Sequence, residues 1–203
     1  MKVQDLDNET VFAYADLPVE DLSNFPVGNT LYIAYGEKSG GRAVYVGFTR
    51  NSLSQRNLEH HTLGSDRPYE FDLHGYRAFE LPQHWLIKNT TGEVALAEDL
   101  VLYTLNHTLI GTGSWLDNRR YSTKIRGVDS HSISEVMGFL DDNVYPRLED
   151  IAGKELVKEP APMLPENPNP FRIEYYYVNG TRGCGFLEND ARRNGIAEGW
   201  NIQ

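Results

Sequence analysis

Residues 31–60 read LYIAYGEKSGGRAVYVGFTRNSLSQRNLEH, and this stretch decides the fold and carries most of the functional information. It opens with two short runs rich in Tyr, Val and Ile, residues 31–36 and 43–48, on either side of the turn segment EKSGGR. Aromatic and β-branched residues favour strands, and a glycine pair favours a turn, so the pattern predicts a β-hairpin. Possible helix caps at Ser52 and Ser54 and a glycine at 64 predict a short helix directly after it.

The alternation within the two predicted strands assigns each tyrosine to a face of the sheet, because successive side chains of a strand point to opposite sides. One face carries the aliphatic residues Leu31, Ile33, Val44 and Val46 and is expected to be the core side. Tyr35 falls on this same face and is expected to pack in the core. Tyr32 and Tyr45 share the opposite face, so they are the two tyrosines that can meet in one site.

The predicted helix after the hairpin holds Arg56 and His60, four residues apart. Residues at this spacing lie on the same side of a helix. Taken alone, the spacing is typical of two solvated polar residues. Next to two tyrosines on one strand face, it predicts four polar groups that converge on a point.

The remaining elements surround this hairpin. Residues 1–29 are acidic and contain two prolines, which indicates an irregular lead-in or a short added element. The sequence predicts a third strand at 69–81, helices at 92–110 and 131–151, and a hairpin at 171–187 around Asn179-Gly180. Five prolines between 159 and 170 predict a linker before this hairpin, which is an appendage at 171–203 or an addition to the main sheet. The main domain is expected at 30–158.

Composition is that of a globular protein, with 40% hydrophobic and 24% charged residues. No apolar run approaches the roughly 18 to 20 residues that span a bilayer, and the start MKVQDLDNET lacks the features of a signal peptide. We therefore expect a cytoplasmic protein that does not enter a membrane. The single cysteine, Cys184, permits no internal disulfide, and the histidines form no zinc-binding spacing.

The net charge of −10 argues against a polyanionic ligand until its distribution is considered. Residues 1–25 hold one basic and six acidic residues, and residues 128–170 hold three basic and nine acidic. Residues 26–127 hold eleven basic and ten acidic residues, so the segment with the motif is almost neutral. Within it, RRYSTKIR has four cations and no acid: Arg119, Arg120, Lys124 and Arg126. This cluster is typical of a solvated face, and it is also the best candidate in the chain for phosphate contacts.

The predicted helix at 92–110 contributes an acid to the candidate site. At 100° per residue, Glu98 falls within a stripe formed by Val94, Val101, Leu102, Leu105 and Leu109, whereas Glu93 and Asp99 fall outside it. A carboxylate on an apolar stripe is expected to be paired, protonated or bound to a metal, because burying it alone is costly. A buried salt bridge, for example to Arg56, and a metal site both fit this position.

The ordered set of residues resembles the signature of the GIY-YIG nuclease superfamily. LYIAYG and YVG match the paired strand motif, and Arg56, His60, Glu98 and Asn118 follow in the order of the family, over residues 30–120. Asn106 is an alternative to Asn118. The resemblance implies an α+β fold in which a small antiparallel three-stranded sheet is flanked by α-helices. It also implies metal-dependent hydrolysis of a nucleic-acid phosphodiester.

The resemblance also implies a role for each residue. Glu98 would hold Mg²⁺, or Mn²⁺, and Arg56 would stabilise the phosphate in the transition state. Tyr32 would accept the proton of the attacking water, which requires a phenol pKa well below about 10 next to cations. Tyr45 would orient the water or the phosphate, and either tyrosine fits the role of base. His60 would hydrogen-bond a tyrosine or a phosphate.

Two classes of function follow. The first is a DNA endonuclease of restriction, phage or toxin type, with RNA as an alternative substrate. The second is a non-catalytic module of the same fold that binds a basic protein partner through its acidic flanks. Tyr32, Tyr45, Arg56, His60 and Glu98 together favour the enzyme, because a binding scaffold does not need all five.

Overall fold

The computed structural model of the protein describes residues 14–61, 68–87, 92–109, 112–118, 120–122, 130–158, 175–177 and 182–183. Five strands form its main sheet: β1 (Tyr14–Pro18), β2 (Thr30–Lys38), β3 (Gly41–Thr49), β4 (Asp72–Glu80) and β5 (Trp115–Leu116). Their spatial order is β1-β4-β2-β3-β5, and neighbours are antiparallel except for the parallel pair β3 and β5. The α+β class is confirmed, but the sheet is mixed and has five strands where the sequence predicts three antiparallel ones.

The predicted hairpin is present, and its two strands pair from Thr30 opposite Thr49 to Lys38 opposite Gly41. Only Ser39 and Gly40 connect them, with φ values of 52° and 77°. Two consecutive positive φ values suit the two-residue turn whose twist matches that of the flanking strands. The turn is thus shorter than the predicted segment EKSGGR, and both strands are longer than predicted.

The two edge strands are the ones that the sequence does not predict. β1 has five residues and lies in the acidic lead-in, so the structure has the short added element there. β5 has two residues, too few to show an alternating pattern. Both strands depend on a neighbour in space for their backbone hydrogen bonds, and a local pattern does not reveal that neighbour.

Four α-helices accompany the sheet in the described part of the chain, α1 (Leu53–His61), α2 (Glu93–Leu109), α3 (Ser130–Phe139) and α4 (Glu149–Ala152), and a 3₁₀ helix (Val19–Asn24) follows β1. Ser52 caps α1, because its hydroxyl accepts a hydrogen bond from the backbone N–H of Gln55 at 3.2 Å. The helix predicted at 131–151 is present, but not as one regular α-helix. A π-helical segment (Leu140–Val144) and a 3₁₀ segment (Tyr145–Arg147) connect α3 to α4, and Pro146, without a backbone N–H, lies in the 3₁₀ segment.

The two faces of the sheet bury different side chains, as strand alternation predicts. Leu31, Ile33, Val44 and Val46 pack into the larger core with α2 and α3, and Tyr35 packs against its margin. Tyr32 and Tyr45 belong to the second core on the opposite face. That face therefore carries the tyrosines of the candidate site.

Three further short strands, β6 (Arg120–Ser122), β7 (Tyr175–Tyr177) and β8 (Arg182–Gly183), pair antiparallel in a second sheet. The turn of the predicted C-terminal hairpin and the Pro-rich segment 159–170 lie outside the described residues. The hairpin and the linker therefore stay predictions. Within the described ranges, no helix has both the length and the apolar composition needed to cross a membrane.

Candidate functional site

Tyr32 belongs to the second core, on the face of the sheet opposite α2, and its side chain is fully buried. Its hydroxyl meets two groups of α1 on one side. The Nε of Arg56 donates to the Tyr32 oxygen at 3.1 Å, and the Nε2 of His60 lies 3.3 Å from the same oxygen. The spacing of four residues thus brings Arg56 and His60 to one atom, as the sequence predicts.

The two neighbours of the Tyr32 hydroxyl, Arg56 and His60, determine where its proton points. Arg56 has only donors, so the Tyr32 oxygen accepts from it. Among the described contacts, His60 Nε2 is the one acceptor within reach of the buried Tyr32 proton. A buried hydroxyl without an acceptor is unfavourable, so Tyr32 donates to Nε2 and the His60 proton lies on Nδ1.

Burial keeps Tyr32 protonated. It raises the pKa of the hydroxyl well above the ordinary value of 10.0, and the neighbouring Tyr45 raises it further. Arg56 lowers this pKa, but by less than burial raises it. The low phenol pKa expected for a tyrosine base is therefore not found. A neutral Tyr32 can accept a proton only when it passes its own to His60.

Tyr45 and His60 complete a compact aromatic cluster. Tyr45 is buried, and its ring stacks on Tyr32 with 6.2 Å between centroids. It also contacts His60 edge to face at 5.1 Å. Gly47, directly opposite Tyr32 in the hairpin, makes this packing possible. A Cβ on Gly47 would lie 2.5 Å from the Tyr32 hydroxyl oxygen, so the glycine of YVG leaves room for the tyrosine.

Arg56 bridges the buried cluster and the surface. Its side chain is 28% exposed, and Nη1 donates to Glu59 Oε2 at 2.7 Å. The remaining guanidinium donors are therefore near solvent, although Nε is committed to Tyr32. A planar guanidinium in this position can bind a phosphate oxygen while it polarises the tyrosine.

Glu98 lies close enough to the site for its charge to raise the pKa of Tyr32. The five apolar residues of the predicted stripe are all buried, but the Glu98 side chain is half-buried, as are those of Glu93 and Asp99. Because α2 packs against the sheet, α3 and α4, many of its other residues are buried too, so burial does not distinguish Glu98 from the other two acids.

Asn118 follows β5, and its side-chain amide forms two hydrogen bonds with the backbone of β3. Its Oδ1 accepts from the backbone N–H of Val46 at 2.8 Å, and its Nδ2 donates to the Val46 carbonyl at 2.7 Å. It therefore fixes the backbone next to Tyr45, and both of its polar atoms are occupied. The alternative, Asn106, is buried within α2.

The predicted basic cluster is largely outside the described residues. Arg119, Lys124 and Arg126 fall there, and Arg120 is described as backbone in β6. A phosphate-binding role for these four residues stays a prediction.

Three polar residues of the site were missed: Asn57, Tyr69 and Tyr76. The Tyr76 hydroxyl donates to Asn57 Oδ1 at 2.7 Å, and it lies 3.1 Å from the Tyr69 hydroxyl. Tyr69 stacks on the His60 ring at 4.4 Å. Strand alternation in the predicted third strand could have placed Tyr76 beside Tyr32, because both share a face. Tyr69 precedes β4, and no local pattern marks it.

The arrangement offers a proton path, a cation and two carboxylates, of which Glu59 pairs with Arg56 and Glu98 acts on Tyr32 through its charge. In the part of the chain that is described, no group of three or more His, Cys, Asp or Glu side chains could hold a metal ion. A site with one or two carboxylates suits Mg²⁺, which keeps several waters and takes other ligands from a bound phosphate. No family model, no curated protein and no solved structure matches the chain.

Proposed function

We propose that the protein is a metal-dependent endonuclease that hydrolyses phosphodiester bonds of DNA, with a domain of the GIY-YIG type. The observation that carries the proposal is the convergence of Arg56 Nε and His60 Nε2 on the buried hydroxyl of Tyr32. A buried polar group costs stability unless it is paired, so a fold has little reason to gather three there for packing alone. Tyr45 stacks on Tyr32, and Glu98 is near enough for its charge to raise the pKa of Tyr32.

Phosphodiester hydrolysis requires that a water lose a proton as it attacks phosphorus. Tyr32 takes that proton on its oxygen while its own proton moves to His60 Nε2. The tyrosine then never becomes a free phenolate, which its burial would disfavour. As the new bond to phosphorus forms, the bond from phosphorus to the leaving oxygen breaks, and that oxygen takes a proton from solvent. His60 holds one proton at the end of this step. It returns this proton to Tyr32 as Tyr32 releases to solvent the proton that it took from the water.

Negative charge builds on the phosphoryl oxygens during the attack, and Arg56 is the cation available to stabilise it. Its outer guanidinium donors lie near solvent, where a phosphate can reach them. Tyr45, whose ring stacks on Tyr32, would orient the water or the phosphate. Glu98 would hold the Mg²⁺ or Mn²⁺ ion, which when bound would supply charge neutralisation at the leaving oxygen.

The test is incubation of the purified full chain with plasmid DNA and with RNA, in Mg²⁺ and in EDTA. Arg56→Ala and Glu98→Gln are each expected to lower the rate by about 100-fold or more, the size typical of losing a charge-stabilising group. Asp99→Asn is the matched control, because Asp99 is the adjacent half-buried carboxylate of α2.

Undiminished cleavage by both variants would contradict the assignment of the site. Cleavage of RNA and not of DNA would make the protein an RNA-directed nuclease. If neither nucleic acid is cut in Mg²⁺ or Mn²⁺, the non-catalytic binding module is the better account, and its acidic flanks then indicate a basic protein partner.

A further inference from the structure

His60 lies between two tyrosine rings and is almost fully buried. Tyr69 covers it in a nearly parallel stack, with 4.4 Å between centroids and 16° between planes. Tyr45 meets it edge to face, at 5.1 Å and 69°. The ring plane of His60 is therefore set by aromatic neighbours from two different segments of the chain.

The plane of this ring matters for the proton path. The lone pair of a neutral imidazole nitrogen lies in the plane of the ring, so tilting the ring turns Nε2 away from the Tyr32 hydroxyl. The distance from Nε2 to the Tyr32 oxygen is already 3.3 Å, near the upper limit for a hydrogen bond. A small tilt is thus enough to lose the bond.

Tyr69 is itself held in place by α1. Its hydroxyl lies 3.1 Å from that of Tyr76, which donates its one proton to Asn57 Oδ1 at 2.7 Å. Tyr69 is therefore the donor to Tyr76 in the first of these bonds. Asn57 lies in α1 between Arg56 and His60. Tyr69 is therefore connected to α1 twice, through its ring stack on His60 and through its hydrogen bonds to Tyr76 and Asn57.

We propose that Tyr69 is a positioning residue of the proposed nuclease: its stacked ring fixes the His60 imidazole so that Nε2 accepts from Tyr32. Tyr76 and Asn57 anchor Tyr69 for this task. The kinetic consequence rests on the proposed function, whereas the orientation and tautomer of His60 do not.

The decisive variant is Tyr69→Leu, which keeps an apolar side chain and removes the ring. We expect kcat for DNA cleavage to fall by about 10- to 100-fold, because small misplacements of reacting groups cost up to about that factor. KM is expected to change by less than about twofold, since no contact with bound substrate is removed. Tyr69→Phe keeps the ring and is expected to recover most of the lost kcat.

Nitrogen NMR of labelled histidine gives a second readout, which does not depend on activity. The wild-type protein is expected to show one His60 tautomer, with the proton on Nδ1. Tyr69→Leu is expected to show a mixture of both tautomers, and Tyr69→Phe mainly the wild-type one. If Tyr69→Leu does not fold, Tyr76→Phe removes a single oxygen from the anchor and is expected to change kcat and tautomer in the same direction by less.

The control is Phe71→Leu. Phe71 directly precedes β4, and its ring centroid lies 5.3 Å from that of Tyr69. Among the described contacts, its ring does not touch His60. It is expected to leave kcat and the His60 tautomer as in the wild type. A Tyr69→Leu protein with wild-type kcat and a single His60 tautomer would overturn the proposal, and so would an increase in KM alone. If the wild-type protein cuts no nucleic acid, the proposed function fails, and the NMR result alone decides the role of Tyr69.

Discussion

The face of the sheet under α2 and the face that carries Tyr32 bury very different side chains. Under α2, buried aliphatic residues such as Leu31, Ile33 and Leu105 make up most of the core. On the other face, the rings of Tyr32, Tyr45, Tyr76 and His60 are buried among apolar side chains, and each buried hydroxyl and ring nitrogen needs a partner. The same two strands, β2 and β3, supply residues to both faces.

The two faces of the hairpin are therefore expected to determine different properties, one stability and the other activity. Burial of aliphatic side chains stabilises a fold without directional requirements. Buried hydrogen bonds contribute little net stability, because each replaces a bond to water, but they fix geometry. The aliphatic face should therefore determine the free energy of unfolding, and the tyrosine face the activity.

The largest expected effect is that of Tyr32→Phe on cleavage. The substitution removes one oxygen and both of its hydrogen bonds, and we expect a rate lower by about 10²- to 10⁴-fold, the usual contribution of proton transfer. The free energy of unfolding is expected to change by only about 1 kcal/mol. Cleavage assays and urea unfolding measure the two quantities.

Tyr35→Phe is the matched control, since Tyr35 lies on the same strand and packs on the opposite face. It should retain the wild-type rate. Equal losses of activity in the two variants would show that the faces are not separate in function.

Leu105→Ala tests the aliphatic face. Leu105 is fully buried in α2, so its truncation is expected to lower the free energy of unfolding by about 2 to 5 kcal/mol. The rate per folded molecule should stay within about twofold of the wild type, because the aliphatic face does not contact the Tyr32 hydroxyl. Urea unfolding and assays well below the unfolding temperature provide the comparison. A loss of activity without a loss of stability would contradict this assignment.

Gly47→Ala, on the tyrosine face, is expected to lower both stability and activity. The added Cβ would lie 2.5 Å from the Tyr32 oxygen and 3.0 Å from the Tyr45 ring, and the buried Tyr32 ring has no room to move aside. Overpacking of this kind costs about 1 to 3 kcal/mol, and displacement of the hydroxyl should also lower the cleavage rate. Unfolding and cleavage are measured on the same preparation.

A second glycine provides the control for this substitution. Gly138 lies in α3, and nothing is within 4 Å of the position of its Cβ. Gly138→Ala should leave the rate unchanged and raise stability by up to about 1 kcal/mol, because alanine favours a helix. Wild-type activity in Gly47→Ala would mean that the position of the Tyr32 hydroxyl is not critical.

The sequence predicts the features of this comparison that depend on local pattern. Strand alternation separates Tyr32 and Tyr45 from Tyr35, and helical spacing brings Arg56 and His60 together. These periodicities follow from backbone geometry and hold wherever the element forms. The hairpin and α1 are predicted for the same reason.

Features that depend on distant segments are not predicted. Tyr69 reaches His60 from a segment before β4, and Asn118 binds the backbone of Val46 across 72 residues. Because α2 is buried on most sides, its apolar stripe does not distinguish Glu98 from Glu93 and Asp99. In each case the deciding partner is distant in the chain, so only the tertiary structure identifies it.

Arg77 is a charged exception on the aliphatic face, where it lies opposite Ile33 in the sheet register. Its buried guanidinium pairs with Asp16 of β1 and with Asp150 of α4, both at 2.5 Å, and also donates to the carbonyl of Arg147. These contacts tie β1, β4 and the segment around α4 together. An ion-pair network therefore connects β1 and α4 to the aliphatic face of the sheet.

The smallest expected effect is the pH dependence of this network. The hydrogen bond from Arg77 lowers the pKa of Asp150 below its ordinary value of 3.8. A carboxyl whose pKa is lower in the folded state stabilises the fold above its unfolded-state pKa and loses this contribution as the pH falls through the folded-state pKa. Asp150→Asn should therefore be less stable than the wild type at pH 6, by less than about 1 kcal/mol because Asp150 is largely exposed, and the difference should shrink as the pH falls toward 2. Urea unfolding across this range measures the difference, with Asp142→Asn, which leaves the Arg77 contacts intact, as the control. A difference that is the same at both pH values would show that Asp150 acts through packing and not through its charge.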